Sequence, residues 1–276
     1  MPELPEVEVV RRGLASHVVG AAFDSAEVLR ARSNRGQDGP LEPLLRGRSV
    51  TAARRRGKYL WLDLSDGRAL FIHLGMSGQL RVQPADTPPG RHTRVRLGMT
   101  GAAGGRFFLD FVDQRTFGRL LATGMEGAVP APVAHVAPDP FEESFDPVEV
   151  ARTIRRKRSE IKRVLLDQQV VSGIGNIYAD EALWAAKIRP TKKATTLRQR
   201  DALRLLDEAR AVMARALKAG GTSFDELYVN VNGESGYFSR SLSVYGREGE
   251  PCPRCGTPIK RVQWTNRSSH YCPACQ

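Results

Sequence analysis

All four cysteines of this 276-residue chain fall in its last 25 residues, as Cys252-Pro-Arg-Cys255 and Cys272-Pro-Ala-Cys275, with sixteen residues between the pairs. Two Cys-x-x-Cys turns at this spacing can bring four thiolates to the corners of a tetrahedron, which suits one structural Zn²⁺. Iron would also accept four thiolates, and two disulfides are the competing reading, although nothing in the chain points to an oxidising compartment. A four-sulfur shell leaves no position for water, so such a metal would brace a hairpin and do no chemistry. The expected hairpin runs from Gln263 to His270, with Thr265-Asn266-Arg267-Ser268-Ser269 at its tip. An arginine carried on that tip is placed to meet a phosphate or a base edge; the alternative is a solvated turn residue.

The rest of the chain is long enough for two further cores, and its 41% hydrophobic content is that of a globular protein. No apolar run reaches membrane-spanning length, and the acidic, amphipathic opening lacks the features of a secretory signal. The expectation is a bacterial-type cytoplasmic or nucleoid-associated protein with no membrane partner. Forty-two Lys+Arg against 30 Asp+Glu leave a net charge of +12, which favours a polyanion, nucleic acid first.

Leu4, Val7, Val10, Leu14 and Val18 recur at helical spacing and stop before Gly20. From about residue 25 to 122 the pattern changes to short β runs, among them 59–64, 69–73, 93–97 and 107–111, separated by glycine turns. That pattern reads as an antiparallel sandwich. Four prolines between Ala128 and Pro140 mark a linker. Helices are then expected at about 147–168, 176–187 and 196–219, the last closed by Gly220-Gly221. The fold class is α+β and multidomain, with boundaries at 1–127, a linker over 128–140, a helical domain over 141–243 and a zinc finger over 244–276. The basic cluster Arg152, Arg155, Arg156, Lys157, Arg158, Lys162 and Arg163 reads as a solvated helix face that adds positive field.

Pro2 has a chemical possibility beyond opening a helix. A small residue after Met1 allows the initiator to be removed, which would leave a secondary amine followed directly by the Glu3 carboxylate. At pH 7 a generic α-amino group is unprotonated in roughly a tenth of molecules, against about one in 2,500 for lysine. Attack of such an amine on a sugar aldehyde gives an iminium, an electron sink. With Met1 retained, Pro2 is an amide nitrogen and this amine chemistry is lost.

Five separated motifs coincide: Pro2-Glu3-Leu4-Pro5-Glu6-Val7-Glu8, Gly57-Lys58-Tyr59-Leu60, His73-Leu74-Gly75-Met76-Ser77-Gly78, the run from Gln169 through Gly173 and Asn176 to Glu181, and the cysteine ribbon preceded by Val244-Tyr245-Gly246-Arg247. Together they resemble the bacterial formamidopyrimidine-DNA glycosylases over nearly the whole chain. The resemblance implies an N-terminal helix plus β-sandwich, a helix–two-turns–helix domain and a C-terminal Cys₄ zinc finger. It also implies excision of 8-oxoguanine and formamidopyrimidines from double-stranded DNA, preferably opposite cytosine, by a monomer with one structural Zn²⁺. By the same resemblance Pro2 is the nucleophile, Glu3 the acid/base carboxylate, and Lys58 and Arg267 complete the catalytic set. Glu6 orders the site, and His73, His92, Asn176 and Tyr245 grip DNA together with Lys58 and Arg267. Met76, Arg115 and Phe117 fill the gap left by a flipped nucleotide. Cys252, Cys255, Cys272 and Cys275 hold the metal.

Endonuclease VIII, a related family acting on oxidised pyrimidines, typically has Gly where this chain has Leu4, and different void fillers. A non-catalytic zinc-ribbon DNA-binding protein is disfavoured by Pro2, Glu3 and Lys58 occurring together. One segment departs from the family pattern. Between Gly220-Gly221 and Tyr228 an Arg- and Thr-bearing loop is usual, whereas Thr222-Ser-Phe-Asp-Glu-Leu227 is one residue longer and acidic. Base-pocket contacts within 222–238 are therefore expected to differ.

Overall fold

The computed structural model describes residues 2–221, 241–264 and 266–276. They divide into two compact units. The first comprises Pro2, Glu6–His135 and the described residues of Gly220–Tyr237; the second comprises Glu3–Pro5, Val136–Ala219 and the described residues of Phe238–Gln276.

Helix α1 (Leu4–Val18) is followed by β1 (Ala22–Val28) and the single-turn helix α2 (Glu42–Leu45). Seven strands come next: β2 (Val50–Arg56), β3 (Tyr59–Leu64), β4 (Ala69–His73), β5 (Gly78–Pro84), β6 (Thr93–Thr100), β7 (Arg106–Asp113) and β8 (Arg119–Thr123). They form two antiparallel four-stranded sheets, in spatial order β1-β6-β7-β5 and β2-β3-β4-β8. Alternate residues of both sheets meet in one core, for example Leu60, Leu62, Leu70, Leu97, Leu109 and Phe111. The stripe Val7, Val10, Leu14 and Val18 of α1 joins them. Gly20, at φ +85°, ends α1 and turns the chain into the sandwich.

A small ladder pairs β9 (Met125–Glu126) with β10 (Val129–Pro130). Residues 128–140 are ordered chain with buried Val133, Val136 and Asp139, and the boundary between the units falls after His135.

The second unit contains α3 (Pro147–Arg156), α4 (Ile161–Leu165), α5 (Asn176–Ala185), α6 (Gln199–Lys218) and the hairpin β11 (Lys260–Trp264) with β12 (Arg267–Tyr271). The α3 start is capped by the Asp146 carboxylate, which accepts from Val148 N and Glu149 N, with Pro147 in the first turn. The single helix expected over 147–168 is two helices. Helical spacing carries from Ile154 to Ile161, so periodicity reads through the break. The chain is extended at Lys157, and Ser159 and Glu160 instead pair with the 193–194 backbone. Backbone hydrogen bonds to a distant segment outcompete about one helical turn over Lys157-Arg158-Ser159-Glu160.

Candidate active site and zinc ribbon

Pro2 is buried at the start of the chain, and Glu3 beside it is buried as well. In the second unit the Glu3 carboxylate accepts the backbone N–H of Gly175 at 2.6 Å, Ile177 at 2.9 Å and Tyr178 at 3.3 Å. These are the unpaired donors at the N-terminus of α5, where a negative charge is favoured. The anion at this helix terminus is therefore an internal carboxylate from 172 residues upstream. The position leaves no room for a side chain: a Cβ on Gly175 would fall on the Glu3 carboxyl group. Leu4 N donates to Gly173 O at 3.0 Å, and Gly173, at φ +90°, has the Leu4 side chain where its own Cβ would stand.

In the first unit Lys58 occupies the two-residue turn of the β2–β3 hairpin, and it is buried. The residue before it, Gly57, takes φ +54° as that turn requires. Arg55 anchors the hairpin by donating to Gly57 O at 3.2 Å and to the Glu8 carboxylate of α1 at 3.1 Å. Burial would raise the Glu8 pKa, but Arg11, Arg12 and Arg55 together lower it to about 2. Glu6 is buried against Gly221. His73 closes β4 and stacks on Tyr59, with ring centroids 5.2 Å apart. Burial, reinforced by the nearby cations Arg119, Arg35 and Lys58, lowers its pKa to about 4. At neutral pH His73 offers a neutral ring N–H, not a cation.

Two loops of this unit, 73–78 and 113–118, pack backbone to backbone. A Cβ on Gly75 would strike the Phe117–Gly118 peptide, and one on Gly118 would strike the carbonyls of His73 and Leu74. The buried carboxylate of Asp113 joins them by accepting from Ser77 Oγ at 2.6 Å, Gly118 N at 2.7 Å and Arg115 N at 3.2 Å. Met76 and Phe117 stand out of the core, 37% and 43% exposed, and the Arg115 guanidinium lies 5.5 Å from the Phe117 ring centroid. His92 is adjacent, its carbonyl accepting from Asp113 N and its Nδ1 lying 3.1 Å from Arg94 Nη2.

In the second unit Asn176, Tyr245 and Arg267 gather around the hairpin. Asn176 Nδ2 donates to Ser268 O at 3.1 Å, and Tyr245 packs edge-on against His270. Tyr245 is placed by the buried Glu181 carboxylate, which accepts the consecutive N–H groups of Ser243, Val244 and Tyr245. Arg267 is exposed at the first position of β12, opposite Trp264, so it is a strand residue and not the centre of a five-residue tip. Lys162 corrects the reading of its cluster as a solvated face. It is wholly buried, with Nζ 2.7 Å from Asp180 Oδ1 and 3.1 Å from Ser268 O. Arg155 is also engaged, donating to Leu197 O at 2.8 Å. The acidic 222–238 segment lies outside the described residues.

The four cysteine sulfurs converge within 4.8 Å of one another. Cys252 Sγ and Cys275 Sγ are 3.8 Å apart, and Cys255 Sγ and Cys272 Sγ 3.5 Å. A tetrahedral ZnS₄ centre with bonds of about 2.3 Å has sulfur–sulfur edges of about 3.8 Å, so the donor set fits one structural Zn²⁺. Second-layer donors are in place: Trp184 Nε1 lies 3.4 Å from Cys252 Sγ and Arg254 Nη1 3.5 Å from Cys275 Sγ. Arg254 also donates to the last carbonyls of α5, at Trp184 and Ala185.

Comparison with known proteins agrees with this geometry. Residues 1–120 match the formamidopyrimidine-DNA glycosylase N-terminal domain, 136–226 the H2TH domain of the same enzymes, and 249–276 the zinc finger found in FPG and IleRS. The formamidopyrimidine-DNA glycosylase of Corynebacterium urealyticum is 57% identical, over 100% of this chain and 99% of that protein. The chain belongs to the formamidopyrimidine-DNA glycosylase family. It is therefore an enzyme, a DNA glycosylase with a family zinc finger. The Nocardioides enzyme of the same name is also 57% identical, over 100% of this chain and 94% of that protein. Among solved structures, the MutM (Fpg) protein of Thermus thermophilus superposes with a TM-score of 0.86 at 36% identity, covering 100% of this chain and 98% of that one. A complex of the Lactococcus lactis Fpg with abasic-site DNA gives 0.86 at 33% identity, covering 99% of each chain.

Within this glycosylase, sequence reasoning missed the residues that hold the candidate site residues: Asp113, Glu181, Arg35 and the Lys162–Asp180 pair. One signal was available. Asp180-Glu181 interrupts an otherwise apolar helix, and two adjacent acids there need partners when buried. No helix among the described residues is long and apolar enough to cross a membrane.

Proposed function

We propose that this glycosylase is bifunctional: it excises 8-oxoguanine and formamidopyrimidines from duplex DNA through a Schiff base on Pro2 and then cleaves the strand. The observation that carries this reading is the Glu3 carboxylate, fixed by three backbone N–H groups one residue from the Pro2 nitrogen. A group so held cannot swing away, so acid/base chemistry beside the amine has a set origin.

The Pro2 nitrogen, freed of Met1, forms a bond to the deoxyribose C1′. The C1′–base bond breaks, and its electron pair leaves with the base, which takes up a proton. Glu3 accepts the proton that the Pro2 nitrogen sheds on bonding to C1′ and delivers it to O4′ as the C1′–O4′ bond breaks, which opens the sugar ring and leaves an iminium between Pro2 and C1′. The iminium acidifies C2′; loss of that proton expels the 3′-phosphate, and a second elimination expels the 5′-phosphate. Lys58 holds the phosphate beside the lesion, and Arg267, Asn176, Tyr245, His73 and His92 hold the backbone. Met76 and Phe117 occupy the space of the extruded nucleotide while Arg115 bonds the orphaned partner, cytosine by preference. The enzyme acts as a monomer on DNA in the bacterial cytoplasm.

Borohydride trapping on an 8-oxoguanine:cytosine duplex tests this, with Met1-processed protein. A covalent adduct and strand cleavage are expected; neither appearing would refute the Schiff-base mechanism. Faster excision of 5-hydroxycytosine or thymine glycol would move the substrate to the oxidised-pyrimidine branch.

A further inference from the structure

Strand β8 is at the edge of its sheet, and side chains from Asn34–Gln37 take the place of a neighbouring strand. Asn34 Nδ2 donates to Leu120 O at 2.8 Å, and Gln37 Oε1 accepts from Ala122 N at 2.7 Å. Beside Asn34, Arg35 extends the contact beyond the strand: Nη1 donates to Gly118 O at 2.9 Å and Nη2 to Phe117 O at 2.8 Å. Nη1 also donates to Arg32 O at 3.0 Å, which ties the guanidinium to its own turn.

The 113–118 loop is thus gripped by opposite charges. Asp113 takes the N–H groups of Arg115 and Gly118, and Arg35 takes the carbonyls of Phe117 and Gly118. Between these anchors Thr116 adopts φ +58°, a left-handed conformation unfavourable for a β-branched residue. Phe117 is left as an exposed aromatic ring. Burial would stabilise that ring, so its projection has to be enforced by the backbone beneath it.

We propose that Arg35 is a positioning residue for base extrusion, holding the Phe117 and Gly118 carbonyls so that Phe117 projects as a rigid wedge. The inference rests on the void-filling role assigned to Phe117 above. A guanidinium can reach two successive carbonyls at once, as it does here, whereas an ammonium is a compact point charge.

The test is a double-mutant cycle of Arg35→Ala and Phe117→Ala, read by single-turnover excision of 8-oxoguanine from duplex DNA. A 2-aminopurine beside the lesion reports unstacking, and thermal melting monitors the fold. Arg35→Ala should slow excision and lower the 2-aminopurine signal on the order of ten- to a hundredfold and severalfold respectively. In the Phe117→Ala background the same change should add almost nothing, because the two residues act as a unit. Arg35→Lys should behave like Arg35→Ala. If the two effects multiply, or lysine restores excision, Arg35 acts on its own, as a phosphate contact would, and the inference fails. If Phe117→Ala alone has no effect, the void-filling reading fails instead. Cleavage of a single-stranded abasic oligonucleotide, which needs no wedge, should be unchanged in Arg35→Ala; a matching loss there would mean general damage and overturn the inference.

Discussion

The Glu3 carboxylate sits on the backbone N–H of Gly175 at 2.6 Å, and no side chain fits between them. One glycine therefore sets the position of the carboxylate that follows the proposed nucleophile. The helix terminus that binds phosphates in many proteins here orders an internal group.

Gly175→Ala should separate that carboxylate from its donors. Its φ of −120° is open to alanine, so the clash with Glu3 is the main consequence. Base excision is expected to fall on the order of a hundredfold with a small change in melting temperature. Single-turnover kinetics and thermal denaturation measure the two. Unaltered excision would remove Glu3 positioning from the mechanism.

His73 gives a pH signature. Its folded pKa is about 4, below the unfolded value near 6.5, so the folded state resists the proton that the unfolded chain accepts. Its contribution to stability is complete above pH 6.5 and is lost as pH falls towards 4. Denaturant titrations of wild type and His73→Phe should converge in slope above pH 7 and diverge below 6, with the wild type losing stability faster. Parallel curves throughout would contradict a neutral buried ring.

Zinc removal should be visible through Trp184, whose indole N–H meets Cys252 Sγ. Chelation, or Cys255→Ser, should unfold the ribbon, change Trp184 emission and abolish DNA binding. Trp184→Phe should remove the larger part of that emission change. Full DNA affinity in metal-free protein would count against a structural role for the ion.

Lys162 and Asp180 should be costly to separate. Lys162→Ala leaves a buried carboxylate without its cation, a loss of about 3–5 kcal/mol. Replacing both, as Lys162→Met with Asp180→Leu, removes the charges together and should recover much of it. Denaturant unfolding checks both. A loss below about 1 kcal/mol for the single variant would return Lys162 to the solvated face.

The Cys-x-x-Cys pairs and the stripe of α1 were readable from residue order, whereas the turn that holds Lys58 emerged only from the pairing of Arg56 with Tyr59. The pairs and the stripe depend on neighbours a few positions apart, where spacing alone determines geometry. The strands 59–64 and 69–73 were legible for the same reason. The helix over 147–168 was misjudged because its interruption is made by backbone partners at 193–194, which no local pattern contains. Lys162 was misread because charge was judged without its partner, and burial of a cation is decided by whether an acid lies within reach.

By itself, then, the sequence determined which candidate groups are available: Pro2, the adjacent Glu3 carboxylate, Lys58 and four cysteines. Tertiary structure decided which of these groups are held, and by what. Glu3 meets Gly175 across 172 residues, and Arg35 meets Phe117 across 82. Hydrogen bonds need donor and acceptor within about 3 Å, and only the folded chain brings such distant residues that close.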